Sequence, residues 1–171
     1  MTKPPLLQSR QVRLAEPHYE VHQGAAFVAS HIFPGLASGS AASLLLLPSA
    51  RHAHTVFDVS SGGDAEIYLF EAPTLDATGT ALGLVNLNRA LQSGANMLAY
   101  HTPTVTASGT ALFEAVLPGA SGMQLPPGLL PRANTEWLLK NDIAYLLFAI
   151  NAGNTTEAIS INMECYEEDL W

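Results

Sequence analysis

The chain has 171 residues, a length typical of one domain with a substantial hydrophobic core. Only 13% of the residues are charged and 48% are hydrophobic, so we expect a surface that is polar and uncharged or covered by neighbouring molecules. The net charge of −8, with only seven lysines and arginines, excludes the phosphate backbone of nucleic acid as the main partner.

The cysteine count and the hydropathy exclude further classes. Cys165 is the only cysteine, which excludes an intrachain disulfide and a multi-cysteine zinc site, and the alternation around it predicts a buried thiol. The first residues lack the apolar segment of a signal peptide, and no run approaches the roughly 18 apolar residues of a membrane span. We therefore expect a soluble protein, made in the cytoplasm, that has no membrane partner.

The start of the chain predicts an extended arm. Residues 1–15 contain the adjacent prolines Pro4 and Pro5 and show no clear hydrophobic period. Residues 16–171 are expected to form the single domain that the chain length favours.

Charge is distributed unevenly between the two ends of the chain. Lys3, Arg10 and Arg13 precede the first acidic residue, whereas five acidic residues crowd positions 157–169. Two interpretations remain open. The basic arm of one subunit could dock on the acidic end of another, or both ends could be solvated and frayed.

Short strands are predicted along the rest of the chain, because alternating or continuous apolar runs are bounded by turn-forming residues. The predicted strands cover residues 18–23, 25–33, 44–47, 53–60, 65–71, 82–88, 96–100, 110–117, 136–140, 143–151 and 158–167. The first places His18 and His22 on one face, and Ser61-Gly62-Gly63-Asp64 predicts a hairpin between the fourth and the fifth. About ten strands without a helical window indicate an all-β fold, an antiparallel β-sandwich or jelly roll, with a barrel as the alternative.

One sequence segment occurs twice. Phe70 to Leu82 recurs thirty positions later as Tyr100 to Leu112, in the same order of residue types. Each copy has an aromatic residue at a strand end, a proline that stops the strand, a glycine-containing turn, and Thr-Ala-Leu at the start of the next strand. Two copies are too few for a solenoid, so the repeat predicts two equivalent corners between antiparallel strands.

A long loop is predicted over residues 118–131, which are rich in proline and glycine and have little period. Loops of this length usually act as lids or contact surfaces. Its apolar residues Met123, Leu125 and Leu129 are candidate contact residues.

The only metal-like pattern is His52-Ala53-His54, followed by Asp58. Residues i and i+2 of a strand point to the same face, so two imidazoles could share an ion. The stretch resembles the first motif of cupins, but it lacks the preceding glycine, has Asp in place of Glu, and has no second motif. The alternative is a polar strand start that faces solvent or a neighbouring chain.

No other pattern predicts catalysis. The sequence contains neither a Gly-x-Ser-x-Gly nucleophile motif nor a glycine-rich phosphate-binding loop. We therefore predict no catalytic residue, no cofactor-binding residue, no metal ligand and no cofactor, and expect that the protein is not an enzyme.

Asn86, Asn88 and Arg89 form a polar group between predicted strands. Short amides can satisfy the backbone of a loop, and arginine can bridge carboxylates. This group is predicted either to lock a corner of the fold or to contact a neighbouring subunit.

Acidic and aromatic residues leave further alternatives. Glu71 and Glu114 each follow an aromatic residue at a strand end, and we expect them to bond loop amides rather than to act as a catalytic pair. Trp137, Tyr145 and Tyr166 could form a platform for stacking sugars, but the period places Trp137 on a core face, so core packing is preferred.

Taken together, several short sequence motifs resemble those of a family of small virion proteins of tailed bacteriophages, usually encoded among head genes. They are Ala53-His54-Thr55-Val56-Phe57, Tyr68-Leu69-Phe70-Glu71-Ala72-Pro73, Asn86-Leu87-Asn88-Arg89, Gly109-Thr110-Ala111-Leu112-Phe113-Glu114, Glu136-Trp137-Leu138-Leu139-Lys140 with Tyr145, and Glu164-Cys165-Tyr166-Glu167. The resemblance covers residues 12–168, and Cys165 stands where the family pattern has Trp.

The resemblance implies a capsid decoration or cement protein, a β-sandwich that stabilises the head from the outside of the virion. Such a homotrimer would clamp neighbouring subunits of the major capsid protein, and Lys3, Arg10, Arg13, Asn86, Asn88, Arg89, Met123, Leu125 and Leu129 are its candidate contact residues. The alternatives are a carbohydrate-binding or host-surface-binding module of the virion and a cupin-like metal-binding protein.

Overall fold

The protein is described by a computed structural model, which covers residues 19–91, 93–119 and 136–168. Within these residues it contains thirteen antiparallel strands and one short helix, at residues 19–23. The strands are β1 Ala26–Leu36, β2 Ala41–Leu47, β3 His52–Ser61, β4 Ala65–Glu71, β5 Thr74–Ala77, β6 Thr80–Leu82, β7 Val85–Asn86, β8 Leu98–His101, β9 Thr104–Ala107, β10 Thr110–Leu117, β11 Trp137–Leu139, β12 Tyr145–Asn151 and β13 Glu157–Glu168. The predicted all-β antiparallel class is confirmed.

The strands form two sheets and a ribbon. The five-stranded sheet has the order β11-β3-β13-β1-β7, and the six-stranded sheet has the order β10-β4-β12-β2-β8-β6. The ribbon consists of β5 and β9, which pair only with each other. The count exceeds the eleven predicted ranges because each repeated corner contains an additional strand, β5 or β9, and because the range 82–88 is replaced by two strands, β6 and β7.

The core lies between the two sheets, where alternation directs one face of each strand inward. In β13, Ile159, Ile161, Met163 and Cys165 are all buried, as the sequence predicts. The opposite sheet contributes buried apolar side chains from β2, β4 and β12 to the same clusters.

The predicted hairpin at residues 61–64 is wrong. β3 pairs with β11 and β13, whereas β4 pairs with β10 and β12, so the turn carries the chain from one sheet to the other. Val59 and Ile67 are both buried. Both strands have one apolar face, and placing them in opposite layers directs both faces at the same core.

The predicted strand at residues 18–23 is also wrong, because residues 19–23 form a helix. Gly24 ends it with φ +73°: its N–H donates to Val21 O, and the N–H of Ala25 donates to Glu20 O. This pair of bonds is the Schellman motif, for which glycine is the preferred residue. His22 is therefore on a helix, and His18 lies outside the described residues.

The repeated sequence segment gives the six-stranded sheet and its ribbon an approximate two-fold symmetry. The first copy forms β4, β5 and β6, and the second forms β8, β9 and β10. The last strand of each copy pairs with the first strand of the other, and the two middle strands pair together. The corners are antiparallel as predicted, but a further strand follows each proline. The symmetry axis passes through the central strands β2 and β12, where Leu45 and Leu146 are opposite each other.

The ribbon covers the outer face of the six-stranded sheet. β4 and β6 are separated by three strands in that sheet, so the segment from Glu71 to Thr80, which contains β5, must cross about 19 Å of it, at about 4.8 Å per strand. The inner face is occupied by the core. Leu45 and Leu146 alternate with the inward-facing Leu44 and Leu147, yet they are fully buried. The crossing ribbon therefore gives β2 and β12 a second apolar contact, outside the sandwich core.

Two predicted segments fall outside the described residues: the arm at residues 1–15 and positions 120–131 of the long loop. The extended arm therefore stays a prediction. The jelly-roll connectivity also stays a prediction.

Gly79 and Gly109 occupy equivalent turns, with φ of +88° and +87°. A Cβ at Gly79 would overlap the carbonyl oxygen of His101, and one at Gly109 would overlap that of Glu71. We expect Gly79→Val and Gly109→Val each to lower the free energy of unfolding by about 2 kcal/mol or more, measured by urea denaturation.

Gly39 is the matched control, because it also has a positive φ of +76°, but a Cβ added there would meet no atom within 4 Å. Gly39→Val should retain only the cost of backbone strain and be clearly the milder change. Equal losses at all three positions would contradict the close packing of the corners.

Candidate interaction surface

Asn86 ties together the corner at the edge strand β7. It is 6% exposed, and its Nδ2 group donates to Gly24 O at 2.8 Å and to Ser93 Oγ at 2.8 Å. Its Oδ1 accepts the backbone N–H of Asn88 at 2.8 Å. A single buried amide therefore joins the end of the helix, the edge strand and the loop that follows it.

Asn88 extends this attachment. Its Nδ2 group donates to His22 O at 3.2 Å, and its Oδ1 accepts the N–H of Ala90 at 3.1 Å. The prediction that this segment locks a corner is therefore confirmed for both asparagines. Arg89 is exposed beside them. The role of Asn86, Asn88 and Arg89 in a subunit contact stays a prediction.

Exposed apolar side chains are concentrated at the same corner. Of the nine large apolar side chains that are exposed among the described residues, four belong to the helix, to β7 or to the following loop. We define the corner surface as Tyr19, Val85, Leu87, Arg89 and Leu91. Tyr19 is 58% exposed and Val85 46%. A grouped apolar surface of this kind on a protein of low charge is typical of an interaction site.

Glu167 fixes the neighbouring loop. Its side chain is 3% exposed, and its carboxylate accepts the backbone N–H of Met97 at 2.6 Å and two N–H groups of Asn96 at 2.9 Å. This role was not predicted from the sequence. The available signal was an acidic residue at an inward position of β13, two residues after Cys165, where a carboxylate requires donors.

The histidine pattern takes part in a polar network on the outer face of the five-stranded sheet. Nδ1 of His54 contacts a carboxylate oxygen of Glu136, its Nε2 lies 3.7 Å from Glu168 Oε2, and its ring stacks on Tyr166 with centroids 4.4 Å apart. Residues 19–91, 93–119 and 136–168 bring no three His, Cys, Asp or Glu side chains together as a metal site. His52, His54 and Asp58 therefore gain no support as ligands.

Glu71 does not bond loop amides, contrary to the prediction. Its carboxylate accepts Lys140 Nζ at 2.8 Å and Tyr145 Oη at 2.9 Å. The hydrogen bond from Lys140, followed by that from Tyr145, lowers the pKa of Glu71. Glu114 is exposed on β10, far along the ladder from Glu71, so the two acids do not form a pair.

The three aromatic residues do not form a sugar-stacking platform. Trp137 packs against the core and meets the ring of Phe113 edge-to-face at 6.3 Å, and Tyr145 is 2% exposed. Tyr166 lies on the opposite face of its sheet, against His54. Core packing, the preferred interpretation, is confirmed for Trp137 and Tyr145.

Cys165 is a buried free thiol, as predicted. Burial, followed by the negative charge of Glu167, raises its pKa to about 12. The thiolate, which is the reactive form, is therefore negligible at neutral pH.

The remaining predicted contact residues lie outside the described part of the chain. They are Lys3, Arg10, Arg13, Met123, Leu125 and Leu129.

A stacked histidine pair joins the two sheets between β1 and β8. His31 on β1 and His101 on β8 have ring centroids 3.8 Å apart and nearly parallel planes, and the edge of Phe33 lies 4.6 Å from His31. The residues opposite them in the ladders, Ile161 and Leu44, are uncharged. Burial, followed by the charge of His101, lowers the pKa of His31.

Comparison with known proteins gives no match. No family model, no curated protein and no solved structure is similar to this chain. A search of the described residues for a helix long and apolar enough to cross a membrane also found none.

Removing the buried amide tests the corner. We expect Asn86→Ala to lower the free energy of unfolding by about 1 to 3 kcal/mol, because Ser93 loses the Nδ2 donor and the N–H of Asn88 loses its acceptor. Gly24 O keeps the hydrogen bond from Ser93 Oγ. Asn88→Ala, which removes more exposed bonds, should cost less than half as much. Equal melting temperatures for wild type and Asn86→Ala would show that the amide does not hold the corner.

Stability should decrease on mild acidification. The folded-state pKa of His31 lies below its ordinary value of 6.5, so the folded protein binds protons less readily than the unfolded chain. The stabilisation is complete above about pH 6.5 and is lost as pH falls through the folded-state pKa. We expect a lower free energy of unfolding at pH 5.5 than at pH 7.5.

His31→Gln should flatten this dependence, and His101→Gln should reduce it in part. The range lies above that in which Glu71, whose pKa is lowered, takes up its proton. Urea unfolding at the two pH values measures the difference, and an unchanged pH dependence in His31→Gln would assign the effect to other groups.

Proposed function

We propose that this protein is a structural virion protein that decorates and stabilises the outer surface of a bacteriophage capsid by bridging neighbouring major capsid subunits. The proposal is supported by the resemblance of its motifs to the virion-protein family and by the antiparallel sandwich. The observation that carries it is the corner surface, where exposed apolar side chains are held on a rigid, hydrogen-bonded frame. In this role the protein acts as a homotrimer and catalyses no reaction.

The corner surface is suited to contact because little has to be ordered on binding. Val85 and Leu87 directly flank the buried Asn86, and Leu87 N–H donates to Ala26 O at 2.9 Å. The backbone that carries the apolar side chains is therefore fixed in the free protein. Preorganisation reduces the entropic cost of association, so a modest apolar area can give a useful affinity.

The charge distribution favours a protein partner over the packaged nucleic acid. None of the thirteen strands contains a lysine or an arginine, and the described cations Arg51, Arg89 and Lys140 all lie between strands. Lys140 is already paired with Glu71. The sheet faces therefore offer no cationic surface for phosphates.

Stabilisation would follow from mass action. A ligand that binds only the expanded shell stabilises it by about 2.7 kcal/mol per site at a hundredfold excess over the dissociation constant. A shell has many equivalent sites, so a weak contact at each one has a large summed effect. The rigid sandwich is what transmits the contact from one capsid subunit to the next.

Binding to capsids that lack the protein tests the proposal. Wild-type protein should cosediment with such capsids, and Leu87→Asp or Leu91→Asp should weaken the binding about tenfold or more, because a charge is placed in an apolar contact. Ile32→Asp is the matched control, since Ile32 is 63% exposed on β1, away from the corner surface. Failure of the wild type to bind, or equal binding by all variants, would contradict the proposal.

The arm should also contribute. We expect deletion of residues 1–13 to weaken capsid retention while leaving the fold intact, because Lys3, Arg10 and Arg13 are lost together. Retention is measured after washing at increasing salt and temperature, with circular dichroism to confirm the fold. Retention equal to that of the wild type under all conditions would exclude a role for the arm.

A further inference from the structure

Aromatic rings and carboxylates share the outer face of the six-stranded sheet, to one side of the ribbon. We define the aromatic–acidic face as Glu66, Tyr68, Phe70, Glu114 and Phe148. In the ladders Glu114 is opposite Tyr68, and Tyr68 is opposite Phe148, so these side chains point the same way. The rings of Tyr68 and Phe70 are 5.9 Å apart and nearly parallel, and Phe148 meets Phe70 edge-to-face at 6.1 Å.

This face is negatively charged and has no cation of its own among the described residues. Tyr68 Oη donates to Glu66 Oε2 at 2.9 Å, and neither Glu66 nor Glu114 has a described lysine or arginine as partner. The hydrogen bond to Glu66, with the charges of both acids, raises the pKa of Tyr68. Val116, opposite Glu66, is 66% exposed and extends the apolar part of the face.

The aromatic–acidic face is not repeated in the half of the sheet that the internal symmetry relates to it. Thirty positions later, the places of Glu66 and Tyr68 are taken by Asn96 and Leu98. At these two positions the equivalent half of the sheet has neither a carboxylate nor a tyrosine, although Tyr100 takes the place of Phe70. The combination of acids and rings therefore belongs to one side only. Leu98, 52% exposed, provides a matched position for control variants.

Two kinds of group fit such a face. Aromatic rings bind the flat faces of prolines in extended segments, and carboxylates beside aromatic rings bind lysine and arginine. In this chain, Lys3-Pro4-Pro5 combines both groups, within a stretch that contains no acid before Glu16. We propose that the aromatic–acidic face of one copy binds the Lys3-Pro4-Pro5 segment of a second copy.

The face lies within reach of the chain's own arm as well as of the arm of a second copy. The described chain begins beside β7, whereas the ring contact between Phe113 and Trp137 places β10 beside β11, at the opposite edge of the sandwich. To reach the face, the chain's own arm would cross the five-stranded sheet from β7 to β11, about 19 Å, and then the distance between the two sheets, about 10 Å. Lys3, sixteen residues before Tyr19, can lie up to about 53 to 58 Å from it along a fully extended chain, so reach alone does not decide between the two arms. The homotrimer of the proposed function favours the arm of the second copy.

An arm that binds the face of its neighbour makes a head-to-tail contact, which can close into a ring. A ring of three would use each arm and each face once. The inference thus deepens the proposed function, on which it rests for the homotrimer, by naming the contact that would join the subunits.

Crosslinking of the full-length protein tests the contact without capsids. Thr2→Cys protein is mixed with Val116→Cys protein under mild oxidation, and Thr2→Cys with Leu98→Cys serves as the control. We expect the first mixture to form the mixed disulfide dimer at least tenfold faster than the control. Equal rates would overturn the proposal. A bridge that forms only within single chains of the Thr2→Cys/Val116→Cys double variant would also overturn it, by assigning the face to the chain's own arm.

Charge reversal provides a second measurement. Two variants are compared by sedimentation analysis: Lys3→Glu, which changes the arm, and the double variant Glu66→Lys/Glu114→Lys, which changes the face. Each should reduce self-association at least fivefold. Mixing the two proteins should restore association, because the intact arm of one can bind the intact face of the other. Mixing without recovery would contradict exchange between copies. Capsid binding without self-association would overturn this inference alone, whereas self-association without capsid binding would overturn only the proposed function.

Discussion

Burial of both faces of β2 and β12 is the constraint on which the rest of the structure depends. Leu44 and Leu147 point into the sandwich core, and the opposed pair Leu45 and Leu146 points away from it, yet all four are buried. Full burial of a leucine side chain contributes about 1.5 to 3 kcal/mol relative to leaving it exposed, so covering the outer pair stabilises the fold. The ribbon formed by the two repeated corners covers this outer pair. Their exchange of strands ties the ribbon to both halves of the sheet.

The same constraint leaves particular surfaces for function. Because the ribbon occupies the middle of the outer face, the aromatic–acidic face remains on one side of it. The corner surface arises at the other open edge, where β7 is only two residues long and a buried amide replaces the missing ladder bonds. The surfaces that we propose for contact are therefore edges and faces of a rigid frame, and the buried polar groups Asn86 and Glu167 hold loops of that frame in place.

Much of the frame could be predicted from the sequence, because alternation is a local signal. The inward face of β13 follows from alternation, the buried leucines of β2 from a continuous apolar run that ends before Pro48, and the start of β10 from the repeated segment. Which strands become neighbours is a non-local property, and the turn at residues 61–64 illustrates the difficulty: a glycine pair permits a hairpin and a crossing between sheets equally well. At residues 18–23, six positions satisfy a period of two by chance, and the glycine that follows was the stronger helix-ending signal.

The candidate surface was only partly predictable. Asn86 and Asn88 stood out because amides between strands usually satisfy loop backbone. The apolar side chains beside them could be recognised as exposed only once β7 was known to lie at an edge. Glu167 was missed because its donors come from residues about seventy positions away. The sugar platform failed for a related reason: Trp137 and Tyr145 project inward, and of the three residues only Tyr166 lies on an outer face, where it stacks on His54.

We propose that the molecule works by covering and bridging other protein surfaces. An electron cryomicroscopy reconstruction of capsids reconstituted with the purified protein tests it most directly. The account predicts added density on the outside of the shell, into which the two-sheet sandwich fits with the corner surface against major capsid subunits. A reconstruction without added density, or one in which the corner surface faces solvent, would contradict it.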